Sequence, residues 1–142
     1  MITLKSEKEI ALMRRAGKIT AAARALARDM VKPGVTTQQI DKAVFEFIKS
    51  QGAVPSFLNY HGYPGSACIS VNDEVIHGIP GKRVLKEGDI VSVDVGAYIG
   101  GFHGGWPDHE DFRELFIRWF QWGCYCPVMR LHGDRQPHHP VR

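Results

Sequence analysis

The sequence predicts an α+β fold in which two N-terminal helices cover one face of an antiparallel sheet. Three observations support this prediction. Two capping-box patterns are each followed by apolar residues at helical spacing, the later segments change to runs of β-branched residues, and turn-forming residues separate those runs. The chain has 142 residues, which is enough for one domain to bury a sizeable core.

The first helix is predicted to begin after Ser6, because Ser6 and Glu9 have the spacing at which each side chain satisfies a free backbone amide of the other. Pro33 and Gly34 end it. Between these points, apolar residues recur every three or four positions, namely Ile10, Met13, Ala16, Ile19, Ala23, Leu26 and Met30. This spacing indicates a long amphipathic helix.

A second helix is predicted from Thr36, which forms another capping pattern with Gln39, to about Gly52. Its apolar residues again trace one helical face, namely Ile40, Ala43, Val44, Phe47 and Ile48. The two helices are therefore expected to pack side by side on the strands that follow.

The strand signals lie in the middle of the chain. Residues 68–71 and 74–77 are rich in β-branched side chains and flank Asn72 and Asp73, so they predict a β-hairpin. A turn at 86–89 leads into the β-branched run 90–95, which predicts a further strand.

Charge and cysteine content narrow the classes of function. The net charge is +3 and basic residues are scattered among acidic ones, so no direct nucleic-acid partner is expected. Three cysteines give no disulfide framework, which favours a reducing compartment and predicts a cytoplasmic protein. No apolar window is long enough for a membrane span, and the first residues do not form a signal peptide, so no membrane partner is expected.

The composition changes after Gly104. Every lysine lies at or before Lys86, whereas every tryptophan follows Gly104. We therefore predict an N-terminal unit of residues 1–104 and an aberrant tail of residues 105–142, with at most a short helix at 110–121.

A zinc site within the tail is one alternative for its chemistry. The candidate ligands are Cys124, Cys126, His132, His138 and His139, but their spacing matches no regular zinc-finger pattern. The pattern therefore favours zinc only weakly.

Asp94 and His77 are the candidate catalytic and metal-binding residues. Asp94 interrupts an apolar strand, where a carboxylate must be neutralised, hydrogen-bonded or bound to a cation. It could ligate a metal or simply accept a bond from a neighbouring amide. His77 precedes Gly78 at the end of a predicted strand, where it could be catalytic or a satisfied, partly buried imidazole.

Five further residues are candidates for a substrate pocket: Phe57, Tyr60, His61, Tyr63 and Cys68. Glycines and a proline between them indicate a loop, and loop aromatics beside histidines suit a pocket for a small apolar side chain. The same residues could instead form an edge of the core.

The order of these residues resembles the type I methionine aminopeptidases, whose fold is called pita-bread. The resemblance runs from about Ser6 to Gly104. It includes Val31-Lys-Pro-Gly-Val-Thr-Thr, Tyr60-His-Gly-Tyr-Pro, Ser70-Val-Asn-Asp-Glu-Val-Ile-His-Gly-Ile-Pro and Gly88-Asp-Ile-Val-Ser-Val-Asp-Val-Gly-Ala. It implies a partial pita-bread fold and removal of the initiator methionine from nascent peptides, acting on N-terminal Met peptides at the ribosome.

The resemblance also implies residue roles. Asp94 corresponds to a bidentate metal ligand and His77 to the residue that contacts the scissile amide. The five pocket candidates correspond to the lining and surroundings of the methionine side-chain pocket. The implied cofactors are two divalent metal ions, of Co, Mn, Fe or Zn.

The resemblance breaks at the second metal ligand. The family has an Asp eleven residues beyond the first, where this chain has Gly105. Asp108 could substitute, but Pro107 and the altered spacing disfavour it. The remaining His and two Glu ligands belong to a C-terminal half that this sequence does not contain, so we expect poor metal binding and negligible turnover.

Two hypotheses follow from this break. The tail could be a frameshifted reading of the gene, because dropping one base after Gly104 allows an Asp codon there. Alternatively, the protein could be a non-catalytic pita-bread relative that binds peptides or ribosomes through its aromatic pocket.

Overall fold

The computed structural model describes residues 4–104 and 128–130. Among these residues the chain forms two α-helices followed by short strands, with a 3-10 helix at Tyr60–Gly62 between the first two strands. Their bounds are α1 Glu7–Met30, α2 Thr37–Ser50, β1 Val54–Pro55, β2 Ala67–Val71, β3 Ile90–Val95, β4 Ala97–Ile99, β5 Phe102–Gly104 and β6 Val128–Arg130.

Both predicted capping boxes are present. The Glu9 amide donates to Ser6 Oγ at 3.4 Å, and the Ser6 amide donates to Glu9 Oε2 at 2.6 Å. At α2 the Gln39 amide donates to Thr36 Oγ1 at 3.2 Å, and the Thr36 amide donates to Gln39 Oε1 at 2.8 Å. Each helix start is therefore fixed by local hydrogen bonds, as the sequence predicts.

The strands form two antiparallel sheets of three strands each within the described residues. Their orders are β1-β4-β5 and β2-β3-β6. The α+β class and the antiparallel pairing are confirmed, although the strands are divided between two sheets and do not form one continuous meander. None of the helices in the described part of the chain is long and apolar enough to cross a membrane.

The predicted hairpin at 68–77 is wrong. β2 pairs with β3, and residues 74–77 form no strand. The reason is Asn72, whose amide donates to the Ile90 carbonyl at 2.8 Å and whose side-chain oxygen accepts from the Ile90 amide at 2.9 Å. These bonds direct the chain leaving β2 toward the start of β3.

The paired strands β2 and β3 separate the core from the face that carries the candidate site. Successive side chains of a strand point to opposite faces, so alternate residues share one face. One set belongs to the core: Ala67, Ile69, Val71, Val91, Val93 and Val95. The other set is Cys68, Ser70, Ser92 and Asp94, with Ile90 at the start of β3, and we call this side of the strand pair the polar face.

Thr20 joins α1 to the hairpin of β4 and β5. Its buried hydroxyl donates to the Gly104 carbonyl at 2.8 Å and accepts from the Ala97 amide at 3.1 Å. A Cβ at Gly104 would lie 2.1 Å from the Ala16 carbonyl carbon, so the backbones are in close contact there. The short helix predicted at 110–121 and the tail zinc candidates lie outside the described residues.

Candidate functional site

Asp94 and Cys68 lie directly opposite each other in the antiparallel pair of β3 and β2. Side chains at such opposite positions are neighbours on one face of a sheet, with Cβ atoms about 4.5–5.5 Å apart. The metal-ligand candidate and one pocket candidate are therefore adjacent on the polar face.

The Asp94 carboxylate is reachable by solvent, but the protein surrounds it closely enough to change its electrostatics. Desolvation raises the pKa of Asp94 above its usual value and is the largest influence. The Val95 amide, the charge of Arg24 and the charge of His77 each act to lower that pKa. A carboxylate in this setting gains from a nearby cation, which is what a metal ligand requires.

Tyr63, a pocket candidate, contacts the loop that carries His77. Its hydroxyl lies 3.0 Å from the Ala67 carbonyl oxygen and 2.9 Å from the Gly78 carbonyl oxygen. Burial is the main reason that the pKa of Tyr63 is raised far above its usual value. The hydroxyl therefore stays protonated and acts as a hydrogen-bond donor.

Cys68 is a free, buried thiol. Its pKa is raised first by burial and also by the charges of Asp94 and Asp41, while its hydrogen bond with Tyr63 lowers it. The thiol therefore remains neutral at physiological pH and presents a small apolar, polarizable surface.

Asp41 on α2 is a supporting residue that the sequence analysis missed. Its Oδ1 accepts from the Ser66 amide at 2.7 Å and from the Ala67 amide at 2.8 Å. Burial raises its pKa, although these two bonds oppose that effect. The only signal in the sequence is an acidic residue beside the apolar stripe of an amphipathic helix, which is too common to single it out.

His77 does not end a strand, which corrects the prediction. It lies in an exposed loop with φ of 56°, a left-handed backbone conformation that is uncommon outside glycine. The next residue, Gly78, is buried against β2. The Gly78 amide donates to Ser70 Oγ on the polar face at 3.0 Å, so the structure fastens the residue after His77 to that face.

The other aromatic candidates lie toward the surface. Tyr60 is 54% exposed and packs edge-on against His61, with ring centroids 4.4 Å apart. Phe57 is half-buried beside Gly96, just beyond β3. The structure therefore groups Tyr63, Cys68 and Asp94, and it places Tyr60 and His61 together at the surface.

The described residues do not form a metal centre by themselves. Within residues 4–104 and 128–130, no group of three or more His, Cys, Asp or Glu side chains could hold a metal ion. Asp94 supplies one carboxylate, whereas a two-metal site needs several anionic ligands to balance its charge. The donor set present does not fit two divalent ions.

The helices, the antiparallel strands and the strand-borne carboxylate define a partial pita-bread domain, and this class is confirmed by comparison. Methionine aminopeptidase structures from Rickettsia prowazekii and Thermotoga maritima superpose with TM-scores of 0.69 each, at 44% and 37% sequence identity. They cover 72% and 86% of this chain, and 42% and 55% of their own chains.

The sequence profile of metallopeptidase family M24 matches residues 11–105, and the chain belongs to this family. Methionine aminopeptidase 1 of Bacillus subtilis is 50% identical over 104 residues, which are 73% of this chain and 42% of that protein. The chain thus spans about two fifths of the length of this relative. Divalent metal ions are implied by the family, as the resemblance predicted.

A second profile covers the tail. It describes the TIM-barrel domain of glycosyl hydrolases family 31 and matches residues 90–142. The two matches overlap on residues 90–105, which include β3, β4 and β5. The change of composition after Gly104 therefore lies at the end of the match to family M24 and within the match to family 31.

Proposed function

We propose that residues 1–104 are the N-terminal half of a cytoplasmic methionine aminopeptidase, an enzyme that removes the initiator methionine from nascent peptides. The observation that supports this most directly is the adjacency of Asp94 and Cys68 on the polar face, with Tyr63 bonded to the His77 loop. Relatives at about half identity are named methionine aminopeptidases.

The pocket side chains suit a methionine substrate. A neutral thiol and aromatic edges pack well against a flexible thioether, and an enclosed apolar pocket selects against charged side chains. In this proposal Tyr63 and Cys68 line the inner part of the pocket, while Phe57, Tyr60 and His61 line its entrance. His77 contacts the peptide amide next to the methionine, where its ring can stabilise developing charge.

This chain alone is proposed to be inactive. Asp94 is the one family metal ligand that we can place, and Gly105 stands where the second carboxylate is expected. Without the opposing ligands, divalent ions bind weakly and no metal-activated nucleophile is held over the pocket.

A graft tests the proposed function. Residues 1–104 are joined to the C-terminal part of the Bacillus subtilis methionine aminopeptidase, and release of methionine from a Met-Ala-Ser peptide is measured with added Mn or Co. The graft should be active, and Asp94→Asn in the graft should reduce kcat/KM by at least about a hundredfold. Asp29→Asn is the matched control, because that carboxylate is exposed on α1. A folded graft without activity would refute the proposal.

A second candidate function is a non-catalytic relative that binds peptides or ribosomes through the same candidate residues; it is favoured by the donor set of residues 4–104 and 128–130, which does not fit two divalent ions. Under this alternative the unmodified chain melts cooperatively and binds Met-Ala-Ser peptides saturably without metal. Isothermal titration calorimetry of the purified chain with the peptide distinguishes the two functions. Peptide binding that persists in the presence of a metal chelator favours the non-catalytic, peptide-binding function.

Two origins of residues 105–142 are proposed. A frameshift accounts for the loss of the second Asp, whereas an in-frame join accounts for the match to family 31. The second is favoured, because a shifted frame has no reason to match another protein family across the whole of residues 105–142. Translating the encoding DNA in all three frames decides between them: the frameshift requires a family M24 continuation in another frame.

The tail is not proposed to hydrolyse glycosides. A TIM barrel needs about 200 residues or more to close, with catalytic groups at the ends of several strands. The matched segment of residues 90–142 is far shorter, and β3, β4 and β5 within it belong to the sheets described above.

A further inference from the structure

We propose that Ser70 is a positioning residue: its hydroxyl fixes Gly78 against β2 and thereby holds His77 over the polar face. The inference rests on the proposed function, because it assigns to Ser70 the orientation of the residue expected to contact the peptide amide. Neither the sequence pattern nor the resemblance gave Ser70 a role.

Gly78 is held by three hydrogen bonds, two to β2 and one to Tyr63. Its amide donates to Ser70 Oγ at 3.0 Å, and its carbonyl oxygen lies 2.9 Å from the Ile69 amide nitrogen and 2.9 Å from Tyr63 Oη. A Cβ at this position would stand 2.2 Å from the Ile69 carbonyl oxygen. The backbone of Gly78 is therefore seated directly on the strand.

His77 depends on this attachment for its position. The two residues before it are exposed, Val75 by 88% and Ile76 by 69%, so little packing restrains the loop on that side. Its left-handed backbone conformation is disfavoured for a side chain with a Cβ and persists only where neighbouring contacts enforce it. Gly78, which follows immediately, supplies such contacts.

Ser70 holds Gly78 through its side chain and is not part of the hydrophobic core. A substitution can therefore remove this hydrogen bond without changing the core. Ser70 is 5% exposed and projects from β2 on the polar face, in line with Cys68. Alanine at this position leaves the Gly78 amide without its acceptor, although the backbone bond from Ile69 remains. The loop should then loosen while the sheet stays intact.

The test is performed on the chain itself by NMR, with the substitutions Ser70→Ala and Ser70→Thr. In Ser70→Ala, hydrogen exchange of the Gly78 amide should accelerate by about five- to tenfold. The HN–Hα coupling and the ring signals of His77 should change as well. Ser70→Thr keeps a hydroxyl and should restore the His77 signals. Ser50→Ala, which replaces a serine at the exposed end of α2 whose hydroxyl bonds within its own helix turn, should leave them unchanged.

The readouts separate positioning from mere stability. If Ser70→Ala lowers the melting temperature but His77 keeps its coupling and ring signals, Ser70 is structural only and the inference fails. If Ser70→Ala does not fold, Ser70→Cys provides the second variant, because a thiol of similar shape is a much weaker acceptor for the Gly78 amide. Unchanged His77 signals in Ser70→Cys would also overturn the inference. None of these measurements needs metal or turnover, so their failure is distinct from failure of the graft.

Discussion

At the scale of single residues, close backbone approaches decide which side chains the site tolerates. Gly78 lies against β2 so closely that any side chain would overlap the Ile69 carbonyl. Gly17, in the middle of α1, has open space around the position of an added Cβ. Gly78 is therefore required for close packing, whereas Gly17 is not, although nothing in the local sequence distinguishes the two.

Gly78→Ala is predicted to destabilise the protein by more than about 3 kcal/mol, because the added methyl group meets backbone that cannot move aside. Gly17→Ala is the matched control and should stabilise α1 by about 0.5–1 kcal/mol, since it only restricts the unfolded chain. Urea denaturation of both variants measures the difference, and equal stability of the two would contradict this account.

Asp41 is expected to stabilise the fold through the two hydrogen bonds that its side chain accepts from backbone amides. Asp41→Ala leaves the Ser66 and Ala67 amides without their acceptor and should cost about 1–3 kcal/mol of stability. Asp41→Asn keeps an acceptor oxygen and should cost less at neutral pH. Chemical denaturation at pH 7 tests this, and an alanine variant as stable as the asparagine variant would show that the two bonds contribute nothing.

The pH dependence of stability gives a second test of Asp41. Burial raises its pKa in the folded state, so folding favours the protonated form. The stability that this provides is present at pH values below the ordinary carboxyl pKa of about 4 and is lost as the pH rises through the higher folded pKa. The melting temperature of the native protein relative to Asp41→Asn should therefore fall between about pH 3 and pH 7. A difference that rises over this range would contradict the burial argument.

Among the helices and strands, those that depend on local sequence patterns were predicted correctly. The pairing that depends on a partner far away in the sequence was not. Both helices and the strand Ile90–Val95 follow from capping boxes and side-chain periodicity, and all three are present. The hairpin at 68–77 failed because the side chain of Asn72 bonds to Ile90, a partner that its own neighbours do not reveal.

The candidate site shows the same division. Asp94 and Cys68 were identifiable as unusual residues, but their adjacency depends on the register of β2 and β3. The supporting roles of Asp41, Ser70 and Thr20 depend on contacts between segments far apart in sequence, so no local pattern could predict them.

The junction between α1 and the β4–β5 hairpin can be tested through Thr20. Thr20→Val has a similar shape but removes the donor to Gly104 and the acceptor for Ala97, so it should destabilise the protein by about 1–3 kcal/mol. Thr20→Ser retains the hydroxyl and should lose less. Thermal unfolding of both variants tests this, and a Thr20→Val variant at least as stable as Thr20→Ser would show that the two hydrogen bonds contribute little.

At the scale of the whole molecule, the chain combines a well-packed half of a pita-bread domain with a tail of different sequence character. The helices and the core face of β2 and β3 account for the confirmed fold. The polar face carries the carboxylate of Asp94 beside the pocket candidate Cys68, while the matched segment covers 42% of the Bacillus subtilis relative. Under the proposed function, catalysis requires metal ligands beyond those of residues 1–104.

The most direct test of this account is methionine release by the purified, unmodified chain from a Met-Ala-Ser peptide with saturating Mn or Co. The account predicts no turnover above the rate of a metal-only control. Turnover at ordinary enzyme rates, about 1 s⁻¹ or faster, would show that one strand-borne carboxylate and its surroundings are enough for catalysis. It would contradict the proposal that this chain alone is inactive.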